Sequence, residues 1–251
     1  AVAGWIELSN KYGNLAIKDI LDIGINLCHE GFKLSDELYG SLTKDAEELT
    51  GQKSVYAFYR NGKPFSPETL IRRPQLGKTL ELLKDKGLEY FYNGEIANEI
   101  SKSVNGFITE DDLSSYKPSW REPLHLNIYG YDGWTSPPST QGYLTLSTLK
   151  GFEIIDNQDD YLHTLIESYR IFAADRDNIT YDYMGKEHEF NGTDDIYINE
   201  KVKQFNSNTS GKFNSPQPHG GGTAYMNSVD ESGLGISLIQ SNFHGIGSRI
   251  G

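Results

Sequence analysis

Apolar residues recur at helical spacing through the first half of the chain. In KDILDIGINLCHEG, residues 18–31, Ile20, Ile23 and Leu27 fall on one face, and Gly31 is expected to stop the helix. RPQLGKTLELLKDKG, residues 73–87, repeats the arrangement with Leu76, Leu80 and Leu83 as its stripe, Pro74 near its start and Gly87 as its stop. A further helix is expected through Ile96 and Ile100. In GFITEDDLSSY, Thr109 is suited to cap a helix whose first turn carries Asp111 and Asp112, acids that complement the positive end of the helix dipole. Those adjacent carboxylates therefore read as caps rather than as an acid/base pair.

After Pro123 the period changes. LHLNIYG alternates Leu124, Leu126 and Ile128 as a half-buried strand does, and SPPSTQG follows as a turn. YLHTLIESYRIFAADRD then returns to helical spacing with Leu162, Leu165, Ile166, Tyr169 and Phe172, and its adjacent Asp175 and Arg176 are expected to pair at the helix end. Residues 185–222 are polar and rich in Asn, Gly and Ser, which predicts a long irregular connection. Two strands, Thr223 to Val229 and Leu234 to Ser241, are expected to flank a DESG turn as a hairpin.

Length and charge narrow the classes that this pattern leaves open. The 251 residues suffice for one large domain or two small ones. A formal net charge of -12, with no basic run to offset it, argues against a nucleic-acid backbone or an anionic membrane surface as partner. The longest apolar runs fall far short of a membrane span. The lone Cys28 forms no internal disulfide and builds no thiolate cluster for zinc. The chain opens at Ala1 without an initiator Met and closes at Gly251 after an unfinished, Gly-punctuated stretch, so it reads as a segment of a longer protein, and the absence of a signal peptide from a segment names no compartment.

Chemistry concentrates near the end. The densest acid and His cluster, Glu187, His188 and Glu189, has neighbours pointing in different directions, whereas helical ligand pairs need a spacing of three or four; it reads as a solvated loop, and no metal or other cofactor is expected. The triplets at Asn178, Asn191 and Asn208 fit the glycosylation pattern but are too short to carry a function. Gly220 to Gly222 deliver the chain onto Thr223 where the strand alternation begins. From pattern alone Thr223 opens a strand. If the accessible polar linker were cut before it, the new N-terminal Thr would carry a hydroxyl nucleophile and, in its α-amine of pKa about 8, a base in one residue.

Several stretches together resemble the gamma-glutamyltransferase family of N-terminal-nucleophile hydrolases: AVAGWIELSNKYGNLAIKDIL, EGFKLS, RRPQLGKTLELLKDKGLEYFYNGEIANEI, GFITEDDLSSYKPSWREPL, PPSTQG and HTLIESYRIFAADRD, in family order. The resemblance implies an α+β fold, a four-layer αββα sandwich in which helices flank two central sheets, seen here as an incomplete segment. It implies self-cleavage between Gly222 and Thr223 into a large subunit, residues 1–222 with a processed polar tail at about 185–222, and a small subunit beginning at 223. TAYMNSVD matches the family's T-T-H-x-x-x-x-D pattern at Thr223 and Asp230, and Ser241 stands where a second hydroxyl supports the nucleophile. The implied substrate is a gamma-glutamyl amide such as glutathione, with water or an amino acid as acceptor. Ala224 and Tyr225 replace the usual Thr and His, Leu234 replaces an Asn, and Phe243 stands where members carry a substrate-contacting Asn. These departures keep open a glutaryl-type amide acylase or a non-catalytic relative. The family's carboxylate-clamping arginine is expected upstream of Ala1 and its oxyanion groups beyond Gly251.

Overall fold

The computed structural model describes residues 1–49, 53–157, 159–181, 192–213 and 223–241. The chain divides into two compact units, Ala1–Pro118 with Gly220–Gly251, and Ser119–His219. Both mix helices with antiparallel two-stranded ribbons, which agrees with the α+β class expected.

In the first unit, helix Ile17–Glu30 packs on helix Pro74–Lys86. Both helices stop at the expected glycines, Gly31 and Gly87. The face that the helix Ile17–Glu30 buries is not the expected one. Ile20, Ile23 and Leu27 are 45%, 66% and 52% exposed, whereas Leu21, Ile25 and Cys28 are buried. The helix carries two apolar stripes, and Leu21 and Ile25 join Val2, Leu83 and Leu88 in one core cluster. Each such burial contributes about 1.5–3 kcal/mol before entropy is counted. Lys84 and Asp22 tie the two helices at 2.5 Å, a solvent-screened pair that adds little to the apolar packing. A second cluster, with Leu34, Leu42, Leu49 and Ile71 fully buried, sits beneath the ribbon that pairs Phe32–Lys33 with Leu70–Ile71.

The Thr109 cap forms as expected. Its hydroxyl accepts from the Asp112 amide at 3.1 Å while Asp112 accepts from the Thr109 amide at 2.9 Å, a reciprocal capping box on helix Glu110–Ser115. Hydrogen bonds from Thr109 hold the Asp112 carboxyl below its ordinary range, so this carboxylate is a capping group.

In the second unit, strand Leu124–Ile128 pairs with Tyr131–Thr135 and turns Leu126 and Ile128 inward, as their alternation predicts. Helices Gly142–Ile155 and Tyr161–Ala173 pack beside each other. Here too an expected stripe faces out. Leu162, Ile166 and Tyr169 are exposed, and only Phe172 of that set is fully buried, beside Ile171, Thr164, Glu167 and Ser168. Asp175 does not pair with Arg176 as expected. It meets Lys201 at 2.6 Å and accepts from the Tyr197 hydroxyl at 3.0 Å, while Arg176 meets Asp177 at 2.9 Å.

The expectation of an irregular connection across 185–222 is corrected at residues 195–202, while residues 203–213 are irregular as expected. Asp195–Val202 is a helix, N-capped by the Asp194 carboxylate, which accepts from the Ile196 and Tyr197 amides. Its Ile198 is buried in the same cluster as Phe172, Tyr143 and Leu146. Gly192, at φ +75°, lies so close to Tyr143 that an added Cβ would sit 2.2 Å from the ring. On this helix Asp195, Asn199 and Glu200 are exposed.

Candidate functional site

The hairpin forms almost as its sequence predicts. Ala224–Val229 pairs antiparallel with Gly235–Gln240, with Ala224 opposite Gln240 and Val229 opposite Gly235. The turn is organised by Asp230. Its Oδ1 accepts from the Ser232 amide at 2.8 Å, the Ser232 hydroxyl at 2.6 Å and the Leu234 amide at 3.0 Å, and Gly233 takes the left-handed φ of +87° that a side chain would resist. The Ser232 hydroxyl and backbone amides hold the Asp230 carboxyl below its ordinary range. In this structure the aspartate of the matched motif is a turn residue at the closed end, away from Thr223.

A lowered folded-state pKa fixes the sign of the pH dependence. The Asp230 contribution is present above the unfolded carboxylate value, about 3.9, and is lost as pH falls through the folded value. Asp230→Ala is therefore expected to speed amide exchange at Ser232 and Leu234 at neutral pH, and wild type is expected to approach the variant in acid. Equal exchange in the two proteins at pH 7 contradicts this role.

At the open end, the register places Thr223 and Ser241 one step beyond the Ala224 and Gln240 pair. Thr223 Oγ1 donates to Ser241 Oγ at 3.0 Å. Two of the residues expected to act together are thus in contact, and Thr223 is exposed. The contact directs the Thr223 proton toward Ser241 and holds one side-chain rotamer, already restricted by the β-branch. Gly222, Phe243 and the cluster Glu187, His188, Glu189 lie outside the described residues. Among the described residues no group of three or more His, Cys, Asp and Glu could hold a metal ion, and no helix is long and apolar enough to cross a membrane.

Cross-strand partners share a face. Tyr225, Asn227 and Ser237 lie on the face of Thr223, and the Tyr225 hydroxyl meets Ser237 Oγ at 2.9 Å. That bond draws the phenol below its ordinary pKa. On the opposite face Trp5 Nε1 donates to Gln240 Oε1 at 3.2 Å. Trp5, Ala224, Met226, Leu238, Gln240 and Ser241 line an open pocket of about 500 Å³. The sequence pattern did not single out Trp5 or Gln240, because a tryptophan in an amphipathic helix and a glutamine in a strand carry no signal of their 235-residue separation being closed.

A profile of the family described as gamma-glutamyltranspeptidase matches residues 1–251. The chain is 28% identical over 254 residues to the capsule biosynthesis protein CapD proenzyme of Bacillus anthracis, covering 98% of this chain and 47% of that protein. It is 29% identical over 260 residues to the glutathione hydrolase proenzyme of Pseudomonas aeruginosa, covering 94% of this chain and 44% of that one. The chain thus spans about half the length of the curated relatives it matches. The cephalosporin acylase of Bacillus halodurans superposes over 100% of this chain and 49% of its own with a TM-score of 0.82 at 24% identity, a likeness of fold. Profile, relatives and fold agree with the resemblance carried by the sequence motifs, and the chain belongs to the gamma-glutamyltranspeptidase family.

Proposed function

We propose that this chain is the nucleophile-bearing part of a gamma-glutamyltransferase-like enzyme that cleaves itself before Thr223. The observation that carries the reading is the 3.0 Å contact between Thr223 Oγ1 and Ser241 Oγ at the open end of the hairpin. In the precursor, Oγ1 attacks the Gly222 carbonyl carbon, the C–N bond to Thr223 breaks, and water hydrolyses the resulting ester. Residues 1–222 then form a large subunit and residue 223 begins a small one. The α-amine released in that step has a pKa of about 8 and accepts the hydroxyl proton when Oγ1 attacks a substrate amide. The acyl-Thr223 ester forms as the amine leaves with that proton, and water or an amino acid takes the acyl group. Ser241 orients Oγ1 throughout. The substrate is a gamma-glutamyl amide of the glutathione type.

A second reading, a glutaryl-type amide acylase, is favoured by Ala224 and Tyr225 where the family pattern has Thr and His, and by the fold shared with the cephalosporin acylase. The two substrates differ by one α-ammonium group. Intact-mass measurement of the full-length protein is expected to show two fragments with a junction between Gly222 and Thr223. Matched gamma-glutamyl and glutaryl anilides then decide between the readings. A preference for the gamma-glutamyl compound by about tenfold or more, the worth of one charge-assisted hydrogen bond, is expected. Preference for the glutaryl compound selects the acylase, and one unbroken mass with no turnover selects a non-catalytic relative.

A further inference from the structure

We propose that Glu167 and Arg170 form an anchor that keeps the tail of the large subunit seated at Gly211 to Phe213 both before and after cleavage; the inference rests on the self-cleavage proposed above. Glu167 is nearly fully buried, its side chain 3% exposed, and a buried carboxylate is costly unless paired and hydrogen-bonded. It has both partners. Arg170 bonds to one carboxylate oxygen, and the Gly211 amide donates to the other at 2.7 Å. Arg170 donates its second terminal nitrogen to the Gly211 carbonyl at 2.9 Å and lies 5.5 Å from the centre of the Phe213 ring. One ion pair on helix Tyr161–Ala173 thus holds both the amide and the carbonyl of one tail residue.

Among the described residues the anchor is the last of a series along the tail. Ser147 Oγ donates to the Gly192 carbonyl at 2.5 Å, Asp175 binds Tyr197 and Lys201, and the His163 ring donates to the Asn206 carbonyl at 2.9 Å. Ile198 packs in the core between these points. Losing the tail at Gly211 would strip Glu167 of its backbone donor in a buried setting, so cleavage before Thr223 gives this stretch no reason to leave. The length that processing can set free is confined to the residues after Phe213. Nine further residues, to Gly222, place the new carboxylate no more than about 30 Å from the anchor even when fully extended.

Lys212 makes the anchor measurable. It is the last Lys or Arg before Thr223 and is itself exposed, so trypsin meets the side chain, and only the held backbone on either side resists the cut. The experiment uses full-length wild type and the uncleaved Thr223→Ala protein, with cutting after Lys212 followed by mass spectrometry. Both are expected to resist equally. Glu167→Gln keeps the side-chain size while removing the charge that Arg170 pairs with, and is expected to be cut at least about tenfold faster, since proteolysis tracks the open population. Phe213→Ala loosens the anchor from the tail side, leaves the core of helix Tyr161–Ala173 intact, and decides the matter if Glu167→Gln does not fold. Wild type cut as fast as Phe213→Ala overturns the anchor, as does a cleaved wild type cut much faster than Thr223→Ala. Self-cleavage of Glu167→Gln is expected to stay within about threefold of wild type, because lengthening the free connection costs only the logarithm of its length. If wild type shows no two-fragment mass, the self-cleavage reading fails, and protection of Lys212 in Thr223→Ala still judges the contact by itself.

Discussion

Thr223→Ala is expected to leave the full-length chain unbroken and to lower turnover of a gamma-glutamyl anilide by roughly 10⁴-fold or more, the usual scale for losing a covalent nucleophile. One oxygen is asked to do two things, attack on the Gly222 carbonyl and attack on substrate, so both fail together. Folding is expected to survive. Thr223 is exposed and lies at the mouth of the hairpin, and removal of an exposed side chain ordinarily costs within about 0.5 kcal/mol. The hairpin below it is set by six cross-strand pairs from Ala224–Gln240 to Val229–Gly235, none of which includes Thr223. Thr223→Ser keeps the oxygen and the future amine and loses the methyl that restricts the rotamer. The hydroxyl still reaches Ser241, so cleavage and turnover persist with about tenfold loss or less. Gel electrophoresis for cleavage and release of the anilide are read on the same samples. A processed, active Thr223→Ala protein removes the nucleophile from Thr223, and a dead, uncleaved Thr223→Ser protein shows that orientation by the methyl outweighs the hydroxyl.

What was legible in the sequence was local. The hairpin follows from alternation around DESG, and its turn chemistry, an Asp that accepts from residues two and four ahead and a Gly at positive φ, is encoded within five residues. The capping box of Thr109 and Asp112 and the stops at Gly31 and Gly87 are equally short-range. The contact of Thr223 with Ser241 spans 18 residues, yet it follows from hairpin register once the turn is placed. Which face of a helix is buried was not legible. Ile17–Glu30 carries apolar residues on two faces, and the choice between Leu21, Ile25, Cys28 and Ile20, Ile23, Leu27 is made by helix Pro74–Lys86, which lies some fifty residues away in sequence. In Tyr161–Ala173 the buried face holds Thr164, Glu167 and Ser168, polar residues that pattern reading assigns outward. Glu167 is inside because its partners, Arg170 and the Gly211 backbone, come with it, and the second of these is 44 residues on.

The largest stability effect tied to a misread element is expected at Ile198. Helix Asp195–Val202 has only eight residues, three of them charged, Asp195, Glu200 and Lys201, and its cap is a further carboxylate, Asp194, so its composition resembles a linker. Its signals were faint but present, an Asp cap followed by Ile198 and Val202 at a spacing of four. An isolated helix of this length is marginal in water, and its stability must come from packing. Ile198, 1% exposed, packs in a cluster with Tyr143, Phe172 and Ile179. Ile198→Ala is therefore expected to destabilise the protein by about 2–5 kcal/mol, through lost transfer energy and the cavity left behind. Ile196, two residues earlier on the same helix, is 76% exposed, and Ile196→Ala is expected to fall within about 0.5 kcal/mol of wild type. The pair shares residue type, helix and helix propensity change, so the difference isolates burial. Urea denaturation followed by circular dichroism measures both. Equal midpoints for the two variants return residues 195–202 to the status of a solvated connection, and the anchor at Gly211 then has to hold the tail without the core contact that precedes it.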